Sequence, residues 1–61
     1  MDSEKFKALR IKNGLRQEDV AQAVNISRVA VTNWELGLSS PKTDLLPALA
    51  TILNCSIDDL F

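Results

Sequence analysis

Residues 17–35 of the chain read QEDVAQAVNISRVAVTNWE and contain two short helical patterns separated by a turn. Apolar residues recur every three or four positions in each pattern, which is the spacing of an amphipathic helix. Between the patterns, Asn25 is a residue type that tolerates the left-handed conformation found just past helix ends. Ser27 is a good N-cap for the second helix. The stretch therefore predicts two helices joined by a tight turn, with Ile26 directed into the core.

Two short helices joined in this way form the helix-turn-helix, which places its second helix in the major groove of DNA. At about 100° per residue, Ala30, Val31 and Trp34 share the inward face of that helix. The opposite face carries Arg28, Val29, Thr32 and Asn33. Arg pairs with guanine, Asn pairs with adenine, and the methyl groups of Val and Thr pack against thymine. We predict that this face reads base pairs, because a plain solvated face would hold more Lys and Glu.

Turn residues divide the rest of the chain into three further helices, which makes five in all. The first begins near Ser3 as its N-cap and ends at Gly14, the fourth begins near Asp44, and a capping box at Ser56 starts a short fifth helix. No alternating strand pattern occurs. The predicted fold class is all-α, a compact five-helix bundle forming a single domain over residues 1–61, with the helix-turn-helix at about 17–36.

Composition excludes several classes of function. The chain has 61 residues, one cysteine (Cys55) and no histidine, which excludes an internal disulfide and the usual Cys/His zinc site. Without His the commonest general base is missing, so we expect no enzyme, no cofactor and no small-molecule ligand. A domain this small has little room for a deep pocket, so its function should lie on a surface. No apolar run could cross a membrane and no signal peptide is visible, which favours the cytoplasm.

Charge is unevenly distributed along the chain, although its sum is only −1. Residues 1–16 hold five basic and two acidic side chains, a net charge of +3. Residues 44–61 hold three acidic side chains and no basic one. Such polarity allows a positive face for nucleic acid, and ordinary solvated surface charge explains it equally well.

Six motifs spread over nearly all of the chain carry a family resemblance. They are Phe6-x-x-Leu9-Arg10, Gly14-Leu15-x-Gln17-Glu18-Asp19-Val20-Ala21, Val24-Asn25-Ile26-Ser27-Arg28, Val31-x-x-Trp34-Glu35-x-Gly37-x-x-x-Pro41, Leu46-x-x-Leu49-Ala50-x-x-Leu53 and Ser56-Ile57-Asp58-Asp59-Leu60. Together they resemble the Cro/cI-type (XRE) helix-turn-helix family of phage repressors and bacterial transcriptional regulators. The resemblance implies a lambda-repressor-like five-helix bundle that binds double-stranded operator DNA, usually as a symmetric dimer.

By position, the resemblance also implies roles for residues outside the reading face. Gln17 would contact a phosphate and brace the base-reading residues. The full set expected at the DNA backbone is Arg16, Gln17, Ser27, Ser39, Ser40 and Lys42. The family commonly has Thr or Ser where Arg16 stands, so this helix cap should be weaker by about 1 kcal/mol. Arg16 at this position would also bring a positive charge close to the DNA backbone.

Four further residues are expected to serve structure. The resemblance implies a buried ion pair between Arg10 and Glu35, which ties the first helix to the end of the third. Trp34 is expected mainly in the core, with contact of its ring edge to a phosphate as the alternative. Cys55 is expected to behave as a small buried hydrophobe.

A dimer is expected because a single reading helix covers too few base pairs for selective binding. Two-fold symmetry would place two reading helices about 34 Å apart on a pseudo-palindromic operator. The candidate seam consists of Leu45, Pro47, Ile57, Leu60 and Phe61, which could equally well complete the core. The expected function is a sequence-specific DNA-binding regulator, most simply a repressor. The alternatives are an antitoxin-like or protein-interaction module and a structural domain without a ligand.

Overall fold

The structure, a computed structural model, describes all 61 residues and contains four α-helices, two 3-10 turns and no strand. The helices are α1 (Ser3–Lys12), α2 (Gln17–Ala23), α3 (Arg28–Glu35) and α4 (Leu46–Ile52). The 3-10 turns cover Thr43–Leu45, directly before α4, and Ile57–Leu60 near the C-terminus. The predicted all-α class and the predicted helix-turn-helix are thus both present, the latter formed by α2 and α3.

One apolar cluster holds the four helices and the last 3-10 turn together. Its fully buried side chains come from every one of these elements: Phe6, Val20, Val31, Leu49, Leu53 and Leu60. Trp34 packs edge-to-face on Phe6, with ring centroids 5.9 Å apart and an interplanar angle of 81°. Aromatic pairs favour this geometry because the positive ring edge meets the negative ring face. The pair connects α1 with the inward side of α3.

All four α-helices end in the same way, with a residue in the left-handed conformation. These residues are Gly14, Asn25, Gly37 and Asn54, with φ between 53° and 75°. At each end, the N–H groups of this residue and of the next one bond to carbonyls of the last helical turn, which is the Schellman motif. After α2, for example, the N–H of Ile26 lies 2.9 Å from the carbonyl oxygen of Ala21. The turn between α2 and α3 is therefore fixed by backbone hydrogen bonds.

The structure corrects two predicted helix boundaries. The N-cap of α1 is Asp2, whose carboxylate accepts hydrogen bonds from the backbone N–H groups of Glu4 and Lys5. Ser3 is already helical, because the aspartate before it offers the stronger acceptor in extended backbone geometry. The fourth helix starts with a 3-10 turn at Thr43, and its α-helical part begins only at Leu46.

The predicted fifth helix is a single 3-10 turn. The capping box expected there is present, with Ser56 and Asp59 each accepting a hydrogen bond from the other's backbone N–H. Four residues are too few for an α-helix to gain from further hydrogen bonds, and short segments commonly adopt the tighter turn. The segment still performs the packing role of a helix, since Leu60 is fully buried.

None of the helices combines the length and the apolar character needed to span a bilayer.

The left-handed ends give a first testable prediction. Replacing Asn54 (φ 53°) by Ala should lower the free energy of unfolding by about 1 kcal/mol, because a Cβ without a polar side chain disfavours this conformation. Replacing Asn54 by Gly should leave stability equal or higher. Urea denaturation followed by circular dichroism would compare the two variants. Equal loss of stability in both would show that backbone conformation is not what this position requires.

Candidate nucleic-acid interface

The helix α3 presents one face to the core and the other to solvent. Val31 is fully buried and Trp34 is 5% exposed, whereas Val29 is 64% exposed. Arg28 is also exposed, and it forms neither an ion pair nor a side-chain hydrogen bond. An α-helix with its side chains is about 10–12 Å across, which fits the major groove of B-DNA, about 12 Å wide. The exposed face thus has the size and the free donor that groove reading needs.

Thr32 and Asn33 complete the predicted reading face but are only half exposed. The hydroxyl of Thr32 lies 3.0 Å from Oε1 of Gln17 and 3.1 Å from the carbonyl oxygen of Arg28. Both partners are acceptors, so the single hydroxyl proton is used within the domain. What Thr32 has left for a base pair is its methyl group and the acceptor capacity of its hydroxyl oxygen. The side-chain amide of Asn33 forms no hydrogen bond within the domain.

A chain of four polar side chains runs beneath the reading face. Arg10 forms a two-pronged ion pair with Glu35, in which Nη2 and Oε1 are 3.0 Å apart, and its Nη1 donates to the carbonyl oxygen of Leu15. The same Oε1 of Glu35 accepts a hydrogen bond of 3.1 Å from Nε2 of Gln17. Gln17 in turn accepts from Thr32. The chain connects α1, the start of α2 and α3, and the implied ion pair is present with side chains only 12% and 4% exposed.

The ionisation of Glu35 reflects these partners. Burial raises the pKa of its carboxyl group, but hydrogen bonds from Arg10 and Gln17 and the positive charges of Arg10 and Lys7 outweigh that effect. The pKa of Glu35 is therefore held below its ordinary value of 4.5. The carboxylate accepts from both Arg10 and Gln17, and the hydrogen bond of Thr32 to Gln17 connects Thr32 to this carboxylate.

Arg16 is not the free positive charge that the sequence suggested. Its guanidinium hydrogen-bonds the carboxylate of Asp19 at 3.2 and 3.3 Å, and its backbone N–H donates to the same carboxylate at 2.7 Å. These hydrogen bonds, the side-chain one first, lower the pKa of Asp19. An Arg side chain cannot accept a hydrogen bond, so the cap of α2 is half a capping box formed by Asp19. Sequence reasoning missed this role of Asp19, although an acid three residues after the cap position is its signal.

The other residues predicted at the DNA backbone lie on both sides of α3. Ser27 caps α3 by accepting a hydrogen bond from the N–H of Ala30. Ser39, Ser40 and Lys42 are exposed in the segment after α3, and their side chains form no hydrogen bond or ion pair within the domain. This segment thus offers free donors beside the reading helix.

Comparison with known proteins gives the family. The sequence profile of the helix-turn-helix family matches residues 6–60. The chain belongs to the helix-turn-helix family, in its Cro/cI-type branch. The resemblance seen in the sequence motifs is confirmed.

Three curated relatives carry names of regulators. The chain is 37% identical over 57 residues to Repressor protein C2 of Salmonella phage P22, and 33% identical over 58 residues to the HTH-type transcriptional activator BcrR of Enterococcus faecalis. It is 32% identical over 60 residues to the cryptic phage CTXphi transcriptional repressor RstR of Vibrio cholerae. The matches cover 93%, 95% and 98% of this chain, but 26%, 28% and 54% of the respective relatives. The chain thus spans about a quarter of the first two proteins and about half of the third.

The predicted dimer seam needs one correction within this helix-turn-helix domain. Leu60 is fully buried because it closes the core against α1 and α4, so it cannot face a partner. Leu45 is half-buried against the same core. Pro47, Ile57 and Phe61 remain exposed and are the members of the set that a second copy could contact.

The surface of the domain has one groove and no cluster of metal-binding side chains. A groove of about 440 Å³ lies beside α3, lined by Val24–Ile26, Trp34 and five residues of the segment 40–45. Sequence reasoning did not foresee it, because its walls come from two segments that only the fold brings together. No group of three or more His, Cys, Asp or Glu side chains is arranged to hold a metal ion.

The polar chain gives a second prediction. Since the pKa of Glu35 is lowered in the folded state, its carboxylate contributes stability above pH 4.5, and this contribution is lost as the pH falls below that value. Glu35→Gln should cost about 3 kcal/mol at neutral pH by leaving Arg10 without its counter-charge, and it should flatten the acid side of the stability profile.

Urea unfolding at a series of pH values, with sucrose added if the variant is too unstable, would measure both effects. Glu18→Gln is the matched control, because Glu18 is exposed and has no hydrogen bond partner. The control should cost less than about 1 kcal/mol. An acid slope for Glu35→Gln equal to that of the unchanged protein would contradict the assigned role of Glu35.

Proposed function

We propose that this domain is a sequence-specific DNA-binding transcriptional regulator that reads operator half-sites in the major groove with α3. The observation that carries the proposal is the exposed face of α3, where Arg28 has no partner in the domain. The other side of the same helix is fixed by the core and by the polar chain. Water solvates such a face at little cost, so the support for DNA comes from its groups, which match base edges. The proposal includes no catalysis and no cofactor.

Repression is the form of regulation that we propose. Two of the three relatives above are named as repressors and one as an activator. A small domain seated in the major groove blocks access of other proteins without any further contact, whereas activation needs a second surface. DNA binding also requires the compartment that holds the DNA, so the expected cytoplasmic location is part of the proposal.

The residues divide into two roles. Arg28, Val29 and Asn33, with the methyl group of Thr32, are proposed to contact base edges. Lys42, Ser39 and Ser40, with Gln17 and Ser27, are proposed to contact phosphates and so to set position without reading sequence. Arg16 joins the second group only if a phosphate replaces or shares its contact with Asp19.

We further propose that two copies bind a pseudo-palindromic operator. The reading face of one copy offers four side chains, which is too few for selection among the sites of a genome. Pro47, Ile57 and Phe61 are exposed and apolar, as a two-fold seam requires. Formation of the dimer on DNA alone would suffice for this function.

Protein binding is the competing function, and two observations favour it. The net charge is −1, and the exposed apolar residues Val29, Leu36 and Leu38 lie on or just after α3. An antitoxin-like or protein-interaction module would use such residues as anchors. Salt separates the two functions, because DNA affinity falls by about 0.9 log units per log unit of salt for each phosphate neutralised.

The experiment that tests the proposed function is selection of bound sequences from random duplex DNA, repeated at a low and a moderate salt concentration. The expected result is a two-fold symmetric motif whose affinity falls steeply with salt. Recovery of no motif at either concentration would refute operator binding. A motif without symmetry would refute the dimer alone.

Variants of the selected complex test the two residue roles. Arg28→Ala should reduce discrimination at one base pair of each half-site by about 1–3 kcal/mol. Lys42→Ala should weaken binding to all sequences by a similar factor and lower the salt slope by about one unit per copy. Fluorescence anisotropy with matched and singly altered duplexes would measure both. Uniform loss of affinity in both variants would show that the roles are wrongly assigned.

A further inference from the structure

The groove beside α3 has two walls of different origin. One wall is the turn of the helix-turn-helix, residues Val24–Ile26, which immediately precedes the N-cap of α3. The other wall is the segment 40–45, which follows α3 after the exposed serines. Trp34, on α3 itself, contributes to the lining between them. The groove therefore flanks the proposed reading helix.

Trp34 brings an unused donor to this groove. Its side chain is 95% buried, yet its indole N–H takes part in none of the hydrogen bonds of the domain. No fully buried polar side-chain atom is left without a partner, so this N–H must reach solvent. The groove is the one cavity that Trp34 lines. A buried Trp normally pairs its N–H within the protein. This N–H is open to solvent instead, so it is free to donate to an acceptor from outside.

The other polar groups in the lining narrow the class of acceptor. Lys42 lines the groove as a free ammonium group, because it forms no ion pair. Indole N–H and ammonium groups are donors only, so both demand an acceptor, and the ammonium group favours an anion. Ser40 and Asn25 can add donors. Asp44 also lines the groove, and its negative charge repels an anion. This repulsion limits the affinity for a free anion that makes no contact elsewhere on the domain.

Resting on the proposed function, we propose that the groove binds one phosphate group of the DNA backbone, with the indole N–H of Trp34 as hydrogen-bond donor and Lys42 as counter-charge. The site joins Asn25, before the reading helix, to Ser40 and Lys42, after it. A phosphate held there would fix the depth and the angle at which α3 enters the major groove. Because Asp44 opposes the anion, the phosphate must be presented by a duplex already seated on α3.

The single Trp of the chain makes the site directly observable. In a ¹H–¹⁵N correlation spectrum the indole gives one resonance, which should move downfield and exchange more slowly with solvent when the selected duplex is added. Inorganic phosphate alone should produce little change. A shift with inorganic phosphate equal to that with DNA would overturn the proposal in favour of a free-anion site. No shift in a saturated DNA complex would also overturn it.

A chemically synthesised 61-residue chain isolates the donor. Replacing Trp34 by β-(3-benzothienyl)alanine exchanges the N–H for sulfur and keeps the shape of the ring system, so folding is preserved. Affinity for the selected duplex should fall about tenfold, as expected for one hydrogen bond to a charged group. A duplex with an uncharged methylphosphonate at the contacted position should weaken binding of the natural chain more than binding of the variant, which loses only the attraction to Lys42. Equal affinity of the two chains would refute the Trp34 contact.

The opposing charge supplies a second test with a matched control. Asp44→Asn should raise affinity for the duplex about threefold by removing repulsion of the phosphate. Asp58→Asn makes the same change of charge on an exposed residue outside the groove, and its effect should be smaller. Equal effects would show that Asp44 acts only through the total charge, and they would overturn the placement of the phosphate in the groove. Loss of all DNA binding by the natural chain would instead refute the proposed function, which distinguishes the two failures.

Discussion

The ion pair between Arg10 and Glu35 is the interaction on which the rest of the surface depends. It is nearly buried, and each partner also satisfies a neighbour: Arg10 donates to the carbonyl of Leu15, and Glu35 accepts from Gln17. Such a pair offsets its desolvation only when these additional hydrogen bonds are complete. In this domain they are, and no fully buried polar side-chain atom lacks a partner. The ion pair and its hydrogen bonds therefore fix the orientation of α3 together with apolar packing.

The side chains that stabilise the fold and those proposed to contact bases lie on opposite sides of one short helix. The inward side of α3 uses Val31 and Trp34 for packing, and Glu35 at its end for the polar chain. The outward side leaves Arg28 and Val29 without partners in the domain. A reading surface can therefore change at its exposed positions at little cost to the fold, because the groups that carry stability lie on the other face.

Much of the fold was predictable because local signals agreed with each other. The boundaries of α2 and α3, the turn at Asn25 and the inward residues of α3 all follow from periodicity and capping. The errors arose where two neighbouring residues could both serve as a helix cap, or where packing between distant parts of the chain decided the structure. Asp2 displaced Ser3 as the cap, and the terminal segment proved too short for a helix while its Leu60 was needed in the core.

The outward position of the candidate side chains on α3 was predictable from the sequence, and their hydrogen bonds were less so. Residue types alone predict Thr32 on the outward face of α3. They cannot show that its hydroxyl donates a hydrogen bond to Gln17, fifteen residues earlier. They likewise predict a free positive charge at Arg16, whereas in the structure its guanidinium is paired with the carboxylate of Asp19. Hydrogen bonds between side chains on different elements depend on rotamers and on relative helix positions, and neither is encoded in spacing.

The Schellman ends determine where the chain can change its length. At three of the four, the residue after the left-handed one packs on the core: Leu15, Ile26 and Cys55. An inserted residue there would break two backbone hydrogen bonds and withdraw an apolar side chain from the core. After α3 the corresponding residue is Leu38, which is 72% exposed. Insertions and deletions among relatives should therefore concentrate between Leu38 and Lys42, where the backbone is free to reroute.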